Sequence, residues 1–145
     1  MTLEVRRVRD DAELAAALEV RTEVFVGEQD VPAEHEVDDI DARALHLVAV
    51  DDDGAVQATC RVFPDGEATM RVGRLAVRRA ARRRGLGAAL LAEAEREARA
   101  AGARRMVMNA QTSAISLYVA HGYEPRGEPF DEVGIEHLAM EKPLV

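Results

Sequence analysis

The sequence predicts an α+β domain, with a largely antiparallel sheet in its first half and a β-α-β unit in its second. Three observations point there. The chain has 145 residues and is 48% hydrophobic, enough for one domain with its own core and little more. The apolar period changes along the chain: helical before Pro32, strand-like after Leu45, helical again after Gly85. Finally, a strand ending near Val77 passes through an arginine-rich turn with two glycines into the clearest helix of the sequence.

The elements follow in order. Leu3, Val5 and Val8 alternate with Glu4, Arg6 and Arg7, as in a half-exposed strand. Asp10 and Glu13 have capping-box spacing, and Leu14, Leu18 and Phe25 then recur near helical period, with Ala17 and Val24 filling the face. Pro32 ends that region, and the acidic stretch from Ala33 to Asp41 reads as a short helix or ordered loop. Leu45 to Val50 and Ala55 to Phe63 are strands joined by the turn Asp51 to Gly54, and Pro64-Asp65-Gly66 turns into a third strand, Ala68 to Val77. Gly85 to Ala101 is a helix with the stripe Leu86, Leu90, Ala94, Ala98 and Ala101, its other positions (Glu93, Glu95, Arg96, Glu97, Arg99) polar, and Gly102 closes it. Arg105 to Ala110 is a short strand. Thr112 or Ser113 caps a helix to His121, and Ile135 to Glu141 is the final strand.

Composition excludes several functions. Lys and Arg total 19 against 27 Asp and Glu, a net charge of −8, and aromatics are 3%; a nucleic-acid partner needs a cationic footprint and stacking rings. Charges interrupt every apolar stretch and the N-terminus lacks the apolar run of a signal peptide, so no membrane partner and a cytoplasmic location are expected. A single cysteine, Cys60, rules out an intrachain disulfide and a cysteine-based zinc site. His35, His46, His121 and His137 show no close ligand spacing, so no metal is expected.

The chemistry concentrates between Leu75 and Leu91. Arg78, Arg79, Arg82, Arg83 and Arg84 crowd the turn, and Gly85 and Gly87 open the helix. Glycines let backbone amides approach a ligand closely, and the unpaired amides and dipole of a helix start favour an anion of the pyrophosphate kind. A P-loop is excluded because G-x-x-x-x-G-K-[ST] is absent, and the turn lacks the dinucleotide-binding G-x-G-x-x-G.

Arg82-Arg83-Arg84-Gly85-Leu86-Gly87 resembles the [QR]-x-x-G-x-[GA] signature of the GNAT family of N-acetyltransferases. The run from Gln111 through Ala114 to Tyr118, followed by Gly122-Tyr123, is similar to that family's N-x-x-A-x-x-x-Y…G-[FY], with Gln in place of Asn. The N-terminal run with Arg21, Val24, Phe25, Val26, Glu28, Gln29, Val31, Pro32, Glu34, Glu36 and Asp38 resembles R-x-x-V-F-V-x-E-Q-x-V-P-x-E-x-E-x-D of the ElaA/YjcF-like branch. So do Asp41, His46, Ala110-Gln111 and the run Gly134-Ile135-Glu136-His137 to Met140.

The resemblance spans nearly the whole chain and implies the acyl-CoA N-acyltransferase fold, a mixed twisted sheet of roughly six to seven strands flanked by about four helices. It implies acetyl-CoA as cosubstrate, held by main-chain groups of Leu75, Ala76 and Val77 and by Arg82, Arg83, Arg84, Gly85, Leu86, Gly87, Ala88, Gln111 and Tyr118. Acetyl would pass directly to an amine of a small molecule or peptide, with a strand N–H near Leu75 as oxyanion donor and Tyr118 as general acid. The base stays open among Glu28, Asp38, Asp41 and His46, with Glu34, Glu36, Glu132 and His137 as further candidates, and Arg21 is a structural tie to Asp38 or Asp41. A homodimer is compatible with the resemblance. A non-catalytic acyl-CoA-binding or sensor module is the alternative, and an acyl-homoserine-lactone-synthase-like acyltransferase a remote one.

Overall fold

The computed structural model describes residues 2–145. The chain forms β1 (Glu4–Arg7), α1 (Asp11–Arg21), α2 (Ala33–Glu36), β2 (Leu45–Val50), β3 (Val56–Pro64), β4 (Thr69–Val77), α3 (Leu86–Ala100), β5 (Arg105–Gln111), α4 (Ile115–Ala120), β6 (Glu124–Glu132) and β7 (Ile135–Pro143). The seven strands make one sheet in the order β1-β2-β3-β4-β5-β7-β6. Only the β4–β5 pair is parallel; the others are antiparallel.

The two faces of the sheet carry different helices. On one, α3 buries Leu86, Leu90, Leu91, Ala94 and Ala98 against Leu47, Cys60, Val62 and Val72, with Met106, Met108, Met140, Tyr118 and Tyr123 in the same cluster. Leu90 and Leu91 are almost wholly enclosed, each contributing about 1.5–3 kcal/mol. On the other face, Ala17, Val20, Val24, Phe25 and Val31 pack on Val48, Val50, Val56 and Ala76. The buried stripe of α1 therefore runs through Ala17 and Val20 and continues past its end to Val24, while Leu14 and Leu18 are only half-buried.

Local chemistry sets the boundaries. Asp10 caps α1 by accepting from the Glu13 amide at 2.8 Å. Beyond Arg21 the helix widens into a π-helical stretch, Thr22–Glu28, which carries Val24 and Phe25 inward; such widening recurs at functional sites. A 3₁₀ turn over Asp39–Ala42 follows α2. Asp51 Oδ1 accepts from the amides of Asp53 and Ala55, fixing the β2–β3 hairpin. Gly102 ends α3 in the left-handed region, and the Ala103 amide reaches back to Ala98 O at 2.9 Å.

Three sequence expectations are corrected. The segment after Tyr123 is a strand, β6, missed because all nine of its residues are exposed and two are prolines; an edge strand tolerates both. The 3₁₀ turn Thr112–Ala114 leads into α4 without a side-chain cap from Thr112 or Ser113. Glu95 is buried on α3, where it accepts from Tyr123 Oη at 2.9 Å and Lys142 Nζ at 2.8 Å, while Ala101 at the end of the expected stripe is exposed.

Candidate active site

β4 and β5 run side by side only through Thr69↔Arg105, Met70↔Met106 and Arg71↔Val107. Beyond Arg71 they diverge, so Val72 to Val77 has no ladder partner on its β5 side. β4 also carries a bulge: Thr59 pairs with Ala76 but Arg61 with Gly73, leaving Arg74 and Leu75 opposite Cys60 alone. Arg74 sits there at φ 52°. The extra residue reverses the alternation: Met70 and Val72 face α3 before the bulge, and Leu75 and Val77 after it.

The gap opens into a cleft of about 830 Å³ that reaches both faces of the sheet. Leu75, Ala76, Val77, Arg82, Gly87 and Tyr118 line one half. The first intrahelical bond of α3 runs from the Ala89 amide to Gly85 O, and no side chain caps the helix. The amides of Leu86, Gly87 and Ala88 thus lie in the open first turn, with the helix dipole behind them. Gly85 holds the turn at φ 76°, and a Cβ there would meet nothing within 4 Å. Arg83 is also left-handed, at φ 66°.

Arg82 is turned toward the N-terminal half of the chain. Its Nε donates to Val77 O at 3.0 Å and its NH2 group to both oxygens of Glu28, at 2.8 and 2.9 Å. This hydrogen bond holds the Glu28 carboxyl below the usual carboxylate range. Tyr118 lies on the α3 face, its ring edge-on to Tyr123 with centroids 6.2 Å apart. Burial, with the nearby Cys60, pushes its phenol up to about 12, and burial alone pushes the Cys60 thiol to about 12.

The other half is lined from α1's π-helical extension, α2 and the β6–β7 hairpin, including Phe25, Gln29, Asp38, Glu132, Ile135 and His137. Gln111 Nε2 donates to Gln29 Oε1 at 2.8 Å, tying the end of β5 to the N-terminal segment. An ion network, buried at Arg21 and Glu36 and partly exposed at Asp38 and Arg74, forms the wall of this half. Arg21 Nε donates to Glu36 at 2.6 Å and Arg21 NH1 to Asp41 at 2.6 Å. Arg61 NH1 donates to Asp38 at 2.6 Å and Asp41 at 2.9 Å, and Arg74 NH2 to Asp38 at 3.3 Å. Arg21 therefore ties to Asp41 and Glu36, and Asp38 goes to the two other arginines.

Of the expected base candidates, the structure brings Glu28 and Asp38 to the cleft, each carboxylate held by arginine. Asp41 and His46 lie behind the cleft wall, joined by a 2.9 Å bond between His46 Nε2 and Asp41 O. Burial works to raise the Asp41 carboxyl, but hydrogen bonds from Arg21 and the Asp38 amide, with the charge of Arg21, hold it well below its ordinary value. A carboxyl lowered on folding stabilises the fold above its unfolded value of about 4 and loses that contribution as the pH falls through the folded value. Asp41→Asn is accordingly expected to lower the urea midpoint at pH 7 and to flatten the midpoint's decline below about pH 4. Urea melts at a series of pH values check this; a variant curve parallel to the parent's would refute it.

A parallel pair that splays beside an open, glycine-led helix start defines the acyl-CoA N-acyltransferase class of fold. Residues 10–144 match the family model of the acetyltransferase (GNAT) domain, and the chain belongs to that family. It is 36% identical over 135 residues to the uncharacterized N-acetyltransferase YjcF of Bacillus subtilis, covering 92% of this chain and 95% of the relative. The structure of an acyl-CoA N-acyltransferase from Pseudomonas aeruginosa is 31% identical with a TM-score of 0.86, covering 97% of this chain and 99% of that one. Escherichia coli ElaA, at 23% identity, shares the fold with a TM-score of 0.85 over 97% of this chain and 99% of its own. Within the family the chain is ElaA/YjcF-like. Among the described residues no helix is long and apolar enough to cross a membrane.

Proposed function

We propose that the protein is an acetyl-CoA-dependent N-acetyltransferase passing acetyl directly to an amine of a small molecule or peptide. One observation carries this reading: the β4–β5 gap joins the open first turn of α3 to a second, separately lined half of the same cleft. The amides of Leu86, Gly87 and Ala88 take the pyrophosphate, with Arg83 and Arg84 beside them. The bulged strand from Leu75 to Val77 offers main-chain groups to the pantetheine arm and an N–H to the developing oxyanion. Gln111 shapes the far end of the gap.

Tyr118 supports the departing thiolate. Its phenol is neutral at pH 7, raised to about 12 by burial and the nearby Cys60, and burial raises the Cys60 thiol to about 12 as well. A neutral phenol lining the cleft can donate its proton to the sulfur as the C–S bond breaks.

Calorimetric titration with acetyl-CoA, with CoA and ATP as comparators, tests the donor site. Binding of acetyl-CoA and CoA in preference to ATP is expected, and no binding of either would end the reading. Tyr118→Phe should lower kcat for thiol release by about 100-fold with acetyl-CoA affinity unchanged. Unchanged turnover would remove the acid role and leave the donor site standing.

A further inference from the structure

We propose that His137, paired with Glu132, is the proton acceptor for the attacking amine, a role that rests on the acetyltransferase reading above. His137 Nδ1 lies 2.7 Å from Ile135 O. A carbonyl only accepts, so Nδ1 carries the hydrogen and the lone pair of the neutral ring lies on Nε2. Nε2 is 3.7 Å from Glu132 Oε2, too long for a good hydrogen bond but close enough to stabilise an imidazolium once it forms. The ring is stacked on Phe130, centroids 6.1 Å apart and planes 23° apart, which limits its rotation.

His137 pairs in register with Gln111, so the two side chains rise from the same face of the sheet. Gln111 bonds to Gln29 on the α1 side, whereas Tyr118 packs among the α3-side residues. Proton acceptor and proton donor therefore stand on opposite faces of the gap that separates β4 from β5. Rival groups in the acceptor half are committed elsewhere: Glu28 to Arg82, Glu36 to Arg21, and Asp38 to Arg61 and Arg74. His35 is exposed, and among the described residues no side-chain hydrogen bond orients its ring.

The step balances. A neutral primary amine attacks the thioester carbon, forming the C–N bond, and the nitrogen's proton goes to His137 Nε2. The C–S bond breaks, and the thiolate takes a proton from Tyr118. Solvent later carries the proton from the imidazolium back to the phenolate.

The test uses the full chain, with n-butylamine, glycinamide and spermidine as probe amines and free-thiol release as the signal. His137→Gln is expected to lower kcat by about 100-fold or more while acetyl-CoA affinity by calorimetry stays within about twofold. Glu132→Gln, at a position whose side chain is 45% exposed and safe for folding, is expected to lower kcat by about threefold to tenfold with the amine KM unchanged. Long-range ¹H–¹⁵N spectra of the parent protein should show the neutral His137 ring protonated at Nδ1. Undiminished kcat in His137→Gln, or a neutral ring protonated at Nε2, would overturn the assignment and leave the acetyltransferase reading intact. A parent protein that fails to bind acetyl-CoA, or binds it and releases no thiol with any probe amine, would overturn both.

Discussion

Gly85→Asp is expected to weaken acetyl-CoA binding by about 100-fold or more while the protein stays folded. Gly85 precedes the first turn of α3 at φ 76°, and a Cβ there meets no neighbour within 4 Å, so the new side chain is not blocked. The cost to the fold is confined to backbone strain of about 1 kcal/mol, and Asp is among the residues that bear the left-handed region best. The cost to binding is larger for two reasons. The carboxylate can accept from the same first-turn amides that would hold the pyrophosphate, and it repels whatever phosphate still approaches. Gly85→Asn separates these from strain, since it has a similar shape without the charge and should retain most of the affinity. Calorimetry with acetyl-CoA, beside circular dichroism for folding, reads the result. Equal losses in Asp and Asn would mean that backbone geometry, not charge, governs the turn.

The largest effect on stability is expected at Arg21. This side chain is 1% exposed and joins α1 to both α2 and the 3₁₀ turn, donating to Glu36, to Asp41 and to Glu36 O. Arg21→Met keeps the volume and removes the charge. It leaves Glu36, 2% exposed, with no close hydrogen-bonding partner for its carboxylate; Arg74 Nε stands at 3.8 Å. Breaking a buried pair from one side costs about 3–5 kcal/mol, a large share of the roughly 5–15 kcal/mol that holds a domain of this size together. The double variant Arg21→Met/Glu36→Leu should recover a large part of the loss, because the stranded charge is gone. Urea denaturation of the parent, Arg21→Met, Glu36→Leu and the double variant gives the cycle, and a double variant no more stable than Arg21→Met would contradict this account.

What the sequence disclosed follows the physics of each segment. The hairpin β2–β3 and the helix α3 were legible because turn chemistry at Asp51–Gly54 and a 3.6-residue stripe are local signals. β6 was not, since an exposed edge strand with Pro125, Gly127 and Pro129 has neither alternation nor apolar content. The glycine-led start of α3 could be read from residues 82–87, but the destination of Arg82 could not: its partner Glu28 lies 54 positions earlier. The same limit hid the acceptor side. Glu28, Asp38, Asp41 and His46 looked equivalent in sequence, yet tertiary contacts commit the first three to arginines and turn His46 to a backbone carbonyl. The π-helical widening at Thr22–Glu28 and the β4 bulge also left no local signature, because both arise from how the segments fit the sheet rather than from the residues alone.

The contact between Lys142, Glu95 and Tyr123 has a practical consequence for measurement. Lys142 is the sole lysine of the sequence, and its ammonium is held at 2.8 Å from a buried carboxylate and 5.7 Å from the centre of an aromatic ring. Amine-directed labels and acetyl donors thus meet a protein surface without a free lysine. Isotopic acetyl transferred in a reaction mixture should accumulate on the added acceptor with little background on the protein's side chains. Acceptor searches by mass spectrometry are thereby kept clear of side-chain acetylation of the protein itself, and side-chain amine coupling is a poor way to immobilise it.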